Sequence, residues 1–157
     1  MADETTASLS DAQTQILNFA EAARAASAGK PYLWQGSDTD GFDCSGFVTY
    51  VFNQAFGPNN PPRLTAEDFR TGSFFETVVT PRPADVVFFG RTTATHVAII
   101  VSAERFIGSQ SSTGVAYVKL DNPYWAPKIL SYGRHIGTLS TSAILPLWAG
   151  RFASTIV

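Results

Sequence analysis

The chain has 157 residues, with 11 Lys and Arg against 13 Asp and Glu, and a formal net charge of −2. That length suits one compact domain, and a content of 45% hydrophobic and 13% aromatic residues supplies a core, which excludes global disorder. Charged residues reach only 15% with no Lys/Arg cluster, so the composition excludes a nucleic-acid binder that works through phosphates. The single cysteine, Cys44, excludes an intrachain disulfide and a Cys-rich zinc site.

Residues 1–7 read as a loose start. Asp3 and Glu4 precede the first basic residue, Arg24, so neither the positive nor the apolar region of a secretory signal is present. The expectation is a protein made in the cytoplasm without a signal peptide. The apolar runs Val86–Phe89 and Val97–Val101 are too short to span a bilayer.

Ser10 and Gln13 have capping-box spacing, and Ala12, Ile16, Phe19, Ala20 and Ala23 follow at helical period until Gly29 and Pro31. That predicts a first helix. After a turn-rich stretch, Gln35–Gly41, the residues Phe47, Val48, Val51, Phe52 and Ala55 share one face, and Gly57-Pro58 ends the pattern. The helical period outweighs the β-branched content, and Asp43 becomes the N-cap with Cys44 in the first turn. Thr65–Arg70 suits a short third helix. Strand-like runs follow at Phe74–Val79, Val86–Phe89, His96–Val101, Phe106–Ile107 and Val115–Leu120, and Ile144–Val157 is apolar enough for a closing strand. Helices first and consecutive strands afterwards predict an α+β fold, with N-terminal helices packed on an antiparallel β-sheet.

A lone Cys is most often a small buried hydrophobe. In the first turn of a helix, however, unpaired N–H groups and the dipole stabilise a thiolate, while the Asp43 carboxylate opposes them. A base is then needed. His96 opens a strand, at whose edge an imidazole can face a helix N-terminus. His135, in Tyr-Gly-Arg-His-Ile, has no such setting and reads as structural. One Cys and two dispersed His lack metal-ligand spacing, so no metal is expected. Tyr32 is either a core aromatic or a phenol aimed at an oxyanion beside the thiol.

Taken in order, these residues resemble the NlpC-type cysteine peptidase family. The matching blocks are Pro-Tyr-Leu-Trp-Gln-Gly (31–36), Gly-Phe-Asp-Cys-Ser-Gly-Phe-Val (41–48), Pro62-Arg63, Pro-Ala-Asp-Val-Val-Phe-Phe (83–89), His-Val-Ala-Ile-Ile-Val (96–101), Arg-Phe-Ile-Gly-Ser-Gln-Ser-Ser-Thr-Gly-Val (105–115) and Asn-Pro-Tyr-Trp (122–125). The resemblance implies a papain-like α+β fold and a single catalytic domain over residues 1–157. It further implies hydrolysis of amide bonds in bacterial peptidoglycan stem peptides next to D-glutamate, with no metal or organic cofactor. By the same resemblance Cys44 is the nucleophile, His96 the general base and Tyr32 the oxyanion tyrosine. Asp43 and Ser45 hold the polar end of the stem peptide.

The family commonly places a second His after the base strand, where this chain has Gly108. Ser109, Gln110 or a backbone carbonyl must orient His96 instead, or the site is a Cys–His dyad; an amide oxygen on Gln110 suits the task best, as an Asn does in papain-like triads. The alternatives are a wall- or partner-binding module that has lost turnover, which Gly108 favours, and an acyltransferase that resolves the same thioester without water. A bare catalytic unit without a signal also resembles a delivered enzyme, a type VI secretion amidase effector or a phage-derived lysin. A secretion apparatus and a cognate inhibitor (immunity) protein would then be its partners.

Overall fold

The structure is a computed structural model that describes residues 9–33, 36–38 and 40–139. The first helix, α1 (Asp11–Ala26), begins on the expected capping box. Ser10 Oγ accepts the Gln13 N–H at 3.1 Å, and Gln13 Oε1 accepts the Ser10 N–H at 2.9 Å. Ile16, Ala20 and Ala23 lie in the core, and the Gln13 amide donates to the Pro83 carbonyl at 2.9 Å. The second helix, α2 (Cys44–Phe56), buries Phe47, Val48, Val51 and Phe52 completely, so the helical period does outweigh β propensity here. Thr65 caps a short α3 (Ala66–Thr71).

Two short strands, β1 (Ser37–Asp38) and β2 (Gly41–Phe42), pair antiparallel inside the stretch that reads as turn. Five strands follow near their predicted places: β3 (Phe75–Val78), β4 (Val86–Gly90), β5 (Ala94–Ile100), β6 (Arg105–Gln110) and β7 (Gly114–Lys119). A sixth, β8 (Ile129–His135), was not predicted. It inserts between β3 and β4, giving the antiparallel order β3-β8-β4-β5-β6-β7. Gly133 and Arg134 interrupt its apolar alternation, and both are explained by the neighbours. A Cβ on Gly133 would crowd Phe75, Phe88 and Val86 at 3.1–3.3 Å, while Arg134 forms a two-pronged ion pair with buried Asp85 at 2.9 Å. The closing strand expected at 144–157 lies outside the described residues. None of the described helices is long and apolar enough to cross a membrane.

The sheet has two covered faces. Val86, Phe88, Val97, Ile99 and Ile107 pack against the helices. Val87, Phe89, Ala98, Ile100 and Phe106 form a second cluster on the other face, covered by Trp125, Leu120 and Ile129. Strand alternation thus divides consecutive residues between two cores. His96 falls on the second face. It is the third residue of β5, opposite Phe89, rather than the opening residue that the sequence suggested, because pairing with β4 extends β5 back to Ala94.

His135 proves structural. Its ring lies nearly parallel to those of both Phe52 and Phe56, with centroids 5.0 and 4.5 Å away. Nδ1 accepts the Gly137 N–H at 2.9 Å, so Nε2 carries the proton and donates to the Asn60 carbonyl at 3.0 Å. Burial lowers its pKa, so the folded protein resists the proton that an unfolded imidazole takes up below about pH 6.5. Stability therefore falls as the pH drops through that value, since the unfolded state binds more protons. His135→Ala should remove both hydrogen bonds and the stack, costing about 2–4 kcal/mol in urea unfolding. The loss of stability between pH 7 and 5 should also become shallower in that variant.

Candidate active site

The candidate site is built on the first turn of α2. Asp43 Oδ1 accepts the Gly46 N–H at 2.6 Å, which caps the helix and fixes the direction in which Cys44 leaves it. A Cβ at residue 46 would run into the Gly36 carbonyl, so the loop carrying Gly36 closes over the helix start only because residue 46 is glycine. Gly36 in turn accepts the Asp43 N–H at 2.9 Å. Cys44 is 8% exposed.

The thiol meets β5 at the base. Burial raises the Cys44 pKa, with the Asp43 carboxylate adding to the rise; the backbone N–H of Val97, within hydrogen-bonding reach, lowers it, as do those of Ser45 and Cys44. Helix-terminal donors therefore do not win the competition anticipated between dipole and acid, because desolvation is the largest effect. Val97 directly follows His96, so the strand that carries the base candidate runs past the thiol at the α2 N-terminus. His96 is 7% exposed, with Trp125 at 4.6 Å and Phe89 at 5.5 Å between ring centroids. Burial lowers its pKa to about 4, against a smaller opposing effect of its bond to Gln110.

That bond links His96 Nε2 to Gln110 Oε1 at 3.2 Å. The amide oxygen only accepts, so Nε2 carries the proton and Nδ1 keeps its lone pair. Ser109, on the opposite side of β6, donates to the Phe42 carbonyl at 2.6 Å and is thereby removed from the choice of orienter. Gly108 and Gln110 lie two apart on the same face. A Cβ on Gly108 would stand 2.7 Å from Gln110 Oε1, so the missing side chain makes room for the amide.

Tyr32 is half-buried with its phenol oxygen within reach of the Cys44 backbone N–H; burial raises its pKa, helped by Cys44 and Asp43. It lines a groove of about 650 Å³ with Asp43, Cys44, Ser45, Arg63, Thr65, Asp68, Ala94 and Thr95. Arg63 received no role from the sequence. Its guanidinium grips both Asp43 oxygens at 2.8 and 2.7 Å and donates to Ser45 Oγ at 2.8 Å. The signals available were its place in the Pro62-Arg63 family block and its position two residues before the α3 cap. Glu67 holds α3 to β5 by accepting the Ala94 N–H at 2.7 Å, so the far wall of the groove is tied to the strand that bears His96. Among the described residues, no cluster of His, Cys, Asp and Glu could hold a metal ion.

The model of the NlpC/P60 family matches residues 29–134, a span that contains every one of these groups. The chain belongs to the NlpC/P60 family. Among curated relatives it is 34% identical over 108 residues to a probable peptidoglycan endopeptidase, LytE, of Bacillus subtilis, covering 68% of this chain and 30% of the relative. It is 38% identical over 111 residues to the bifunctional muramidase/DL-endopeptidase CwlT of the same organism, covering 68% of this chain and 32% of that one. The chain thus aligns with about a third of each relative's length. Among solved structures it superposes on the NlpC/p60 domain of the peptidoglycan hydrolase SagA with a TM-score of 0.62 and 26% identity, over 77% of this chain and 97% of that one. The α+β arrangement expected from the NlpC resemblance is therefore observed.

Arg63→Ala should loosen this NlpC/P60 site. Asp43 would lose its two-pronged cationic partner, and because the guanidinium is 37% exposed the cost should be about 1–2 kcal/mol in chemical denaturation. Arg63→Lys, which cannot make the paired bonds, should recover only part of it.

Proposed function

We propose that this chain is a cysteine hydrolase that cleaves amide bonds in peptidoglycan stem peptides, next to D-glutamate. What supports this is Cys44 at the α2 N-terminus, beside the strand that bears His96 and its bond to Gln110, in a chain of the NlpC/P60 family. His96 Nδ1 takes the thiol proton and Cys44 Sγ attacks the amide carbonyl. The Tyr32 hydroxyl and the Cys44 N–H donate to the tetrahedral oxyanion. His96 then delivers its proton to the leaving amine, and water, deprotonated by His96, releases the acid from the thioester. Asp43, Ser45 and Arg63 make the polar part of the groove that receives the stem peptide.

The bond between His96 and Gln110 argues against an inactive binding module, for which the glycine at 108 was the ground. Product analysis separates a hydrolase from an acyltransferase: free acid against a new amide. Purified protein incubated with digested peptidoglycan should release stem-peptide fragments identifiable by mass spectrometry. Cys44→Ala should abolish release in a protein folded by circular dichroism, and His96→Ala should cost orders of magnitude while His135→Ala costs little per folded molecule. Release by Cys44→Ala at the wild-type rate would overturn the reading. Gln110→Ala should cost about 10- to 100-fold, equivalent to about 1.4–2.7 kcal/mol.

A pH profile tests the electrostatics. With the thiol pushed up and His96 brought down to about 4, the resting pair is neutral at pH 7 and holds the one proton the reaction needs. Protonating His96 removes the base, so kcat/KM should fall on the acid side only near pH 4. An acid limb at about 6.5, the ordinary imidazole value, would contradict the buried base.

The proposed substrate lies outside the cytoplasmic membrane, so the protein should be harmless in the cytoplasm and lytic when given an added export signal. Delivery through a secretion apparatus, with a cognate inhibitor in the producing cell, belongs to the same proposal. Lysis by the cytoplasmic form alone would count against it.

A further inference from the structure

Gln110 ends β6 and pairs with Gly114, which leaves Ser111, Ser112 and Thr113 as a three-residue hairpin loop. Gly114, which closes the loop, adopts a positive φ of +68°, open to glycine without strain. The loop carries Thr113 back beside its own starting residue: the Thr113 N–H donates to the Gln110 carbonyl at 3.2 Å, and Gln110 Nε2 donates to Thr113 Oγ1 at 3.2 Å. The hydroxyl proton of Thr113 is itself committed to the Gly114 carbonyl at 2.8 Å. Toward Gln110, then, Thr113 Oγ1 only accepts.

A carboxamide has two ends of similar size and opposite polarity. Its polarity here decides the chemistry of His96. With the NH2 on Thr113, Oε1 faces the imidazole, Nε2 is protonated and Nδ1 is free to accept a proton. With the amide reversed, its NH2 would face Nε2, the ring proton would move to Nδ1, and no lone pair would remain for the thiol. We propose that Thr113 is a positioning residue of the reaction, selecting the Gln110 amide orientation and, through it, the His96 tautomer that can act as base. This rests on the reading of His96 as base and Gln110 as its orienter. The room for the device comes from Gly108, where a Cβ would lie 2.7 Å from Gln110 Oε1 and 2.8 Å from the Ala98 Cβ.

The test is a double-mutant cycle on the full chain with stem-peptide fragments of digested peptidoglycan as substrate. Thr113→Val keeps the shape but removes the acceptor, and should lower kcat by about 3- to 10-fold, the scale of one neutral hydrogen bond, with KM unchanged. Thr113→Ser should keep wild-type kcat. A carboxylate has no wrong end, so in the Gln110→Glu background Thr113→Val should cost nothing further. Nitrogen-15 NMR of the imidazole should show the Nε2–H tautomer in the wild type and a share of Nδ1–H in Thr113→Val. Wild-type kcat and tautomer in Thr113→Val, with Gln110→Ala still impaired, would overturn the role of Thr113 alone. Equal losses from Thr113→Val in both backgrounds would make its effect merely structural and also overturn it. A silent Gln110→Ala would instead remove the orienter reading beneath it.

Discussion

The candidate site depends on the hydrogen bond from the Gly46 N–H to Asp43 at the start of α2. A buried carboxylate there caps the helix, and by doing so sets where Cys44 points and where Ser45 lies. The same carboxylate recruits Arg63 from the chain leading into α3, so one side chain holds the helix start and one wall of the groove together. The cost is electrostatic. Burial raises the thiol's pKa, and the neighbouring negative charge adds to the rise. The arrangement trades a ready-made thiolate for rigid placement of the thiol.

Burial acts on the candidate base, His96, in the opposite sense. Phe89 and Trp125 flank His96 on the sheet face away from the helices and disfavour the imidazolium, while burial disfavours the thiolate. A resting ion pair is penalised from both sides. Under the proposed mechanism, charge separation would have to be supported by the donors at Cys44 and Tyr32 and by the substrate filling the groove. Neutral Gln110 suits this design. A carboxylate in its place would stabilise the imidazolium before it is needed, whereas an amide fixes the ring and its tautomer without adding charge.

Strand alternation puts Gly108 and Gln110 on one face, so the long side chain at 110 reaches over the empty 108 to the His96 imidazole. Glycine at 108 is therefore the complement of glutamine at 110, since a Cβ would occupy the amide's path. The hairpin loop that follows returns Thr113 to the far end of the amide.

The sequence by itself determined the local elements and the chemistry-bearing residues. The capping box at Ser10, the helical period behind Asp43 and the turn residues between β-rich runs are all short-range signals, and each gave its element within a few residues. Cys44, His96, Tyr32 and Gln110 stood out as candidates because residue type, helix-start or strand setting and the ordered family blocks agreed. What only the tertiary structure decided depends on contacts between segments far apart in the chain. β8 was hidden because Gly133 and Arg134 answer to Phe88, Val86 and Asp85 on neighbouring strands rather than to their own periodicity. Arg63 was silent because its partners, Asp43 and Ser45, lie some twenty residues earlier. The protonation of Cys44 and His96 was open for the same reason: dipole and charge are visible along the chain, but desolvation exists only once two layers have closed over the site.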